Sequence, residues 1–291
     1  MKWKSALLVG ALLLSASAGL PACSSFAPAP DGIELPEKNI DQWVLPLDQF
    51  QTRDLTLDTY AENLLVEPCM EDAGYEWKVP YRDAKAKSPM LTALGLWNFN
   101  RSVASTYGYH YSMNPPMENA ADWEGFQKMT QSISDAEFDT LRACQSEARK
   151  AVPSSDDPVN YIMTVASSAE EAAASDPSVT SSESQWRTCM LPLGIADLPD
   201  NPLKMPSQSM NVLYGLDDGS WSISDDEVKT ATFDFDCRES SGWRKAYYDA
   251  EWNAQVAQLD KYGDDIVRMG KRVAAIDKKI DEVIAEHAPA A

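Results

Sequence analysis

The chain is expected to be mainly α: two duplicated, disulfide-stapled helical units with irregular loops, then a long C-terminal amphipathic, coiled-coil-like helix. Three observations predict this. The string "SISD" opens a helix-start signal twice, at 132 and at 222. A Cys-Met-x3-Gly string precedes each copy, at Cys69–Gly74 and Cys189–Gly194, and a further cysteine follows each, Cys144 and Cys237. Finally, apolar residues recur every seven positions near the chain's end.

The N-terminus, "MKWKSALLVGALLLSASAGLPACSS", has two lysines, an apolar run from Ala6 to Leu14 and then small residues. That is the pattern of an export signal, too short to span a bilayer. "LPAC", Leu20 to Cys23, resembles the lipobox of bacterial lipoproteins. The resemblance implies cleavage before Cys23 and a diacylglycerol on its thiol, so that Cys23 anchors the mature chain to the membrane. The other reading is an ordinary signal peptide cut after Ala22. Residues 1–22 are therefore the signal, and 23–50, rich in Ser, Pro and Gly at first, form a flexible tether.

Without residues 1–22, 23 basic residues face 45 acidic ones, a net charge of −22. Such a surface does not neutralise phosphates, which excludes the usual mode of nucleic-acid binding. With 44% apolar residues the chain is globular rather than disordered. Lipidation of Cys23 leaves four cysteines out of five, an even number that can pair in an oxidising compartment. Four cysteines allow three connectivities, and the duplication selects Cys69–Cys144 and Cys189–Cys237, one bridge per unit. Each closes a loop of about 50 to 75 residues and contributes roughly 4 kcal/mol.

The first unit covers 51–155. Leu57, Tyr60, Ala61, Leu64 and Leu65 fall at helical spacing before Pro68 and predict a core-facing helix. Segment 76–100 has no clean period. Ser134-x-x-Glu137 is a capping box, as is Ser224-x-x-Glu227, so each "SISD" starts a helix that carries the second cysteine. Ile133 and Ile223 stand ready to staple onto Phe138 and Val228, and Gly74 and Gly194 are expected to stop the helices of the first cysteines. The second unit covers 156–242. Asp157-Pro158 and Asp176-Pro177 are expected helix starts, and 211–223 reads as a small hairpin around Asp218-Gly219. "ARKA" at 148–151 and "WRKA" at 243–246 extend the repeat.

"CMEDAGYEW" and "WRTCMLPLG", each followed by a cysteine in an acidic helical segment, and "YGYH" at 107–110 resemble a group of exported actinobacterial lipoproteins. The resemblance implies location and fold rather than a reaction.

The last helix, 243–287, carries Trp252, Leu259, Ile266, Val273 and Ile280 seven apart, with Tyr262, Met269, Ile276 and Val283 three further on. This seam suits either an antiparallel helix of the same chain or a partner, which makes Trp252, Leu259, Ile266, Met269, Val273, Ile276 and Ile280 the candidate partner-binding residues. Gly263 and Gly270 interrupt it at about 1 kcal/mol each, a cost that close packing could offset.

No nucleophile elbow, phosphate loop or zinc-protease motif is present. Tyr107, Tyr109, His110 and Tyr111 are the candidate ligand-binding residues, since aromatic faces stack on sugar rings; the competing account is a tyrosine-rich loop filling a core. The carboxylates Asp217, Asp218, Asp225, Asp226 and Glu227 match no calcium loop. No cofactor or metal is expected. These features point to a non-catalytic, membrane-anchored extracytoplasmic lipoprotein acting as an envelope interaction or scaffold module, through its long helix with an envelope protein or a second copy. The alternative is a ligand-binding lipoprotein for a cell-wall glycan or a small solute, and a hydrolase ranks last.

Overall fold

The computed structural model describes residues 32–50, 56–113, 115 and 119–290. The signal segment, Cys23 and the start of the tether lie outside the described residues. Those described form helices α1 (Thr56–Asp72), α2 (Arg101–Tyr107), α3 (Ala120–Gln131), α4 (Asp135–Ala151), α5 (Asp156–Ala174), α6 (Pro177–Met190), α7 (Gln208–Tyr214), α8 (Asp225–Ser240) and α9 (Trp243–His287), and no strands.

The spine is α9, 45 residues long, or about 67 Å at the helical rise. Its apolar seam faces inward along most of its length. Helix α5 lies antiparallel on it: Val159, Ile162 and Val165 pack with Leu259, Ile266 and Val273, while Ala173 meets Trp243 and Tyr247 at the helix start. Farther along, Ile276 and Ile280 complete the core of α1 and α4. The seam is therefore consumed by the chain itself. Trp252, Leu259, Ile266, Val273, Ile276 and Ile280 are buried and Met269 is half-buried, so these residues are not a free partner-binding face. Several elements in succession, rather than one body, cover a helix of this length.

The two bridges form as the duplication predicts. Cys69 on α1 joins Cys144 on α4, and Cys189 on α6 joins Cys237 on α8. Each first cysteine sits in the last turn of its helix, and Gly74 and Gly194 follow at φ of +86° and +65°, the left-handed conformation that glycine adopts without strain. Helix α1 runs through Pro68 to Asp72 rather than ending before the proline. Pro177 stands at the first turn of α6 behind the Asp176 cap, but α5 begins two residues ahead of Pro158, at Asp156.

Three expectations are corrected. The tether is not flexible up to residue 50: residues 33–50 form a strap along α9, with Leu45 and Leu47 buried. It has no period because it is irregular backbone satisfied by α9 side chains. Tyr248 Oη donates to Val44 O (2.6 Å), Gln255 Oε1 accepts from Leu47 N (3.0 Å), and Arg244 Nη2 donates to Ile40 O (2.6 Å). Segment 211–223 is not a hairpin. It is the end of α7, stopped by Gly215 at φ +70°, followed by turns; no strand lies alongside it, and Val212 and Leu213 are exposed. Lastly, 51–155 and 156–242 are not separate packing units. The excursion between Cys69 and Cys144 sends α2 and the 3-10 turn Gly108–Ser112 across to α8 of the second unit.

The strap explains the helix-interior glycines. A Cβ on Gly270 would lie 2.7 Å from Phe50 Cδ1 and 3.1 Å from Phe50 Cβ, and one on Gly263 would lie 3.1 Å from Ile33 Cδ1. Gly270→Ala is expected to destabilise by about 1–2 kcal/mol, overpacking outweighing the helix-propensity gain. In a Phe50→Ala background the same change is expected to stabilise by up to about 1 kcal/mol. Urea denaturation of the four chains of this cycle measures both signs.

Candidate functional site

The repeated helix-start words diverge in use. In the first copy Ser134 Oγ accepts from Glu137 N (3.3 Å) and Glu137 Oε2 accepts from Ser134 N (2.7 Å), a complete capping box. In the second, Ser224 Oγ accepts from Glu227 N (3.2 Å), but the Glu227 side chain turns inward and is fully buried. The expected Phe138 staple leaves that ring 49% exposed.

Glu227 Oε1 accepts from the backbone N–H groups of Tyr109 (2.7 Å) and His110 (3.0 Å) and lies 2.8 Å from His110 Nδ1. His110 Nε2 is 2.9 Å from Ser220 O. A carbonyl only accepts, so Nε2 carries a hydrogen. Nδ1 faces the Glu227 carboxyl, so the ring is held at both nitrogens, between Glu227 and the Ser220 carbonyl. Trp221 closes the site edge-on, 5.7 Å from the imidazole centroid. Gly108, at φ +57°, makes the approach feasible, since a Cβ there would stand 2.5 Å from Glu227 Oε1.

About two helical turns along α8 is a second buried carboxylate, Asp234. Asp234 Oδ1 accepts from Trp186 Nε1 (2.8 Å) and Arg238 Nε (3.0 Å), and Oδ2 from Arg238 Nη2 (2.8 Å) and Tyr109 Oη (3.2 Å). Burial first, and then the Asp234 charge, push the Tyr109 hydroxyl well above the usual tyrosine range. The Arg238 guanidinium also lies 4.4 Å over the Phe99 ring. Every charge here has a partner, which is what makes its burial tolerable.

These clusters correct the expected aromatic groove. Tyr109 and His110 are 0% exposed, and Tyr111 is packed with Phe99 at 4.9 Å. They fasten the first unit's excursion to the second unit; Tyr109 and His110 are closed to solutes and Tyr111 is half-buried. The tyrosine-rich stretch fills a core, as the competing account has it, with one exception. Tyr107, at the end of α2, faces a cleft.

That cleft, about 1780 Å³, is formed by segment 78–100, α3, the strap and the chain end at Pro289–Ala290. Its walls are tied together. Asn119 Nδ2 and Trp123 Nε1 both donate to Tyr81 O (2.8 and 3.2 Å), and Asn98 and Asn100 Nδ2 both donate to Asp41 O (3.1 and 2.9 Å). Asn100 Oδ1 also caps α2 through Val103 N. Asn98 is buried and lines the cleft, and its Oδ1 has no hydrogen-bond partner. Rings of Tyr81, Tyr107 and Phe126 and the cations of Lys78, Arg82 and Lys87 share the lining. Sequence reasoning named Tyr107 alone among these; the aperiodic 76–100 stretch gave no face to assign, although its "WNFN" at 97–100 crowds amides and rings together.

Among the described residues no three His, Cys, Asp or Glu side chains come together as a metal-holding group. Comparison with protein-family models, curated proteins and solved structures finds no significant match.

Proposed function

We propose that this is a lipid-anchored extracytoplasmic binding protein that takes a ligand in the cleft beside Tyr107. The observation that carries the reading is the cleft itself: a concave site of about 1780 Å³ whose lining includes the rings of Tyr81, Tyr107 and Phe126 and the polar side chains of Asn98, Asn100 and Asn119. A concave site lined by rings and a few polar groups is the usual mark of a ligand site. The scaffold reading through α9 loses its basis, because the seam that suggested it is covered by α5, α1 and α4.

Export and anchoring rest on other support. The "LPAC" string supplies an acceptor thiol at Cys23, and two disulfides persist in an oxidising compartment rather than in the cytosol. Among the described residues no helix is long and apolar enough to cross a membrane, so a lipid would be what holds these residues to the bilayer.

Two measurements on one preparation test this. Intact mass of the membrane-extracted chain is expected to begin at Cys23 with a diacylglycerol adduct. Calorimetric titration with cell-wall glycan fragments and small solutes is expected to yield a ligand whose affinity drops about tenfold or more in Tyr107→Ala, the scale of a lost aromatic stacking face. An unmodified Cys23 would sink the anchoring, and binding indifferent to Tyr107→Ala would sink the assignment of the cleft.

A further inference from the structure

We infer that the segment from Leu191 to Leu213 lies against the bilayer that holds the anchor. The inference rests on the lipid anchoring proposed above and is independent of the cleft. Three observations carry it.

The first is what the segment leaves outside. It runs from the end of α6 into α7, and Ile195, Leu198, Met205 and Met210 pack on the core beside the Cys189–Cys237 bridge. Five others stay in solvent: Leu191, Leu193 and Leu203 are exposed, and Val212 and Leu213 are 70% and 67% exposed. The other large apolar side chains so exposed among the described residues stand singly: Trp97 in segment 78–100, Phe138 on α4, Phe233 on α8 and Tyr262 on α9. Single exposed apolar groups are ordinary, whereas a group of them marks a contact face. Helix α7 shows the division most plainly. Met210 and Tyr214, one turn apart, join the core, and Val212 and Leu213 are left on the other side.

The second is charge. Charged residues make up 24% of the chain, but 191–213 holds only Asp197, Asp200 and Lys204. Asp197 accepts from Ser207 Oγ and Ser209 N (both 2.8 Å), and Asp200 lies 3.2 Å from Arg187 Nη1. With Arg187 included the segment has no net charge, in a chain of net charge −20. Repulsion between two such chains opposes pairing of copies through this face, and an uncharged bilayer surface exerts none.

The third is the length of the tether. The strap begins at Ile33, beside Gly263 of α9. From Cys23 to Ile33 the chain reaches at most about 35 Å, roughly half the length of α9. A body tethered so closely meets the bilayer repeatedly, and its contacts with it are intramolecular, so that weak apolar contact suffices.

Photo-crosslinking tests this. The membrane-extracted chain is reconstituted in phosphatidylcholine vesicles containing a lipid with a diazirine on its acyl chain, and the adducts are mapped by mass spectrometry after photolysis. Adducts are expected to gather on 191–213. Their yield there is expected to fall about tenfold in Val212→Gln/Leu213→Gln, in which two apolar groups become polar. Both side chains are exposed, so the urea midpoint of that variant is expected to stay at the native value. Adducts spread evenly over the surface or gathered on another face overturn the inference, as does a yield indifferent to the double variant. A yield on 191–213 that falls as the chain is crowded on the vesicle also overturns it, and gives the face to a second copy. The intact mass of the same sample separates this contact from the anchoring. A lipid on Cys23 without adducts on 191–213 sinks the bilayer contact alone, and an unmodified Cys23 sinks both.

Discussion

Glu227→Ala is expected to lose about 3–5 kcal/mol of stability, because it leaves two buried backbone N–H groups and the buried His110 ring without their partner. The Glu137→Ala change at the matching place in the first copy is expected to shift the urea midpoint only marginally. Both glutamates stand third in a helix opened by the same word, so local propensity treats them alike. What separates them is destination. Glu137 is a solvent-facing cap partner. Removing Glu227 strands the buried imidazole and two backbone N–H groups, those of Tyr109 and His110. The comparison is read by tryptophan fluorescence in urea. His110→Ala alone should be nearly as costly, and the His110→Ala/Glu227→Ala double variant should cost much less than the sum of the two. Equal losses for Glu227→Ala and Glu137→Ala would show that the pair contributes nothing beyond capping.

The same contrast shows what the sequence could and could not disclose. The Ser-x-x-Glu words located the starts of α4 and α8 because a cap acts through the three residues that follow it. The cysteine order located both bridges because duplication preserves pairing. The heptads of α9 were legible because one face of a helix is buried at a fixed period. Where Glu227 points is not a local matter. It depends on Gly108 having no Cβ and on an excursion that departs more than a hundred residues earlier. The divergence between copies is the only sequence trace: three residues before the second cysteine stands Leu141 in one unit and Asp234 in the other. An apolar core position became a charged one, and Arg238, Trp186 and Tyr109 are there to meet it.

The strap and the cleft escaped for a related reason. Residues 33–50 and 78–100 are irregular chain, and irregular chain carries no period from which a buried face can be read. Gly263 and Gly270 did announce that something approaches α9 closely, and Ile33 and Phe50 are what approaches. The cleft follows from the strap, since Asp41 O on the strap receives the Asn98 and Asn100 amides that hold one wall.

The strap also makes stability depend on pH. Two carboxyls are shut between it and α9. Burial raises Asp48 to about 6 against a bond from Leu45 N–H, and burial raises Glu251 to about 7 against a bond from Trp43 Nε1, with Glu170 and Asp48 adding to the rise. Asp48 Oδ1 and Gln255 Nε2 beside them are buried without partners. Unfolded, both carboxyls release their protons near pH 4; folded, they hold them to about 6 and 7. Over that interval the unfolded chain binds fewer protons than the native one, so stability falls as pH rises, and it levels off above pH 7 once both states are ionised. Each group contributes about 3 kcal/mol to the fall, added to the general self-repulsion of an acidic chain. Urea midpoints are therefore expected to be distinctly higher at pH 5 than at pH 8. Glu251→Gln, which keeps an acceptor for Trp43 Nε1 but cannot ionise, is expected to remove about half of that difference, and Asp48→Asn much of the rest. A slope in Glu251→Gln as steep as in the native chain would mean that the strap carries its carboxyls ionised, and that general charge repulsion alone sets the pH dependence.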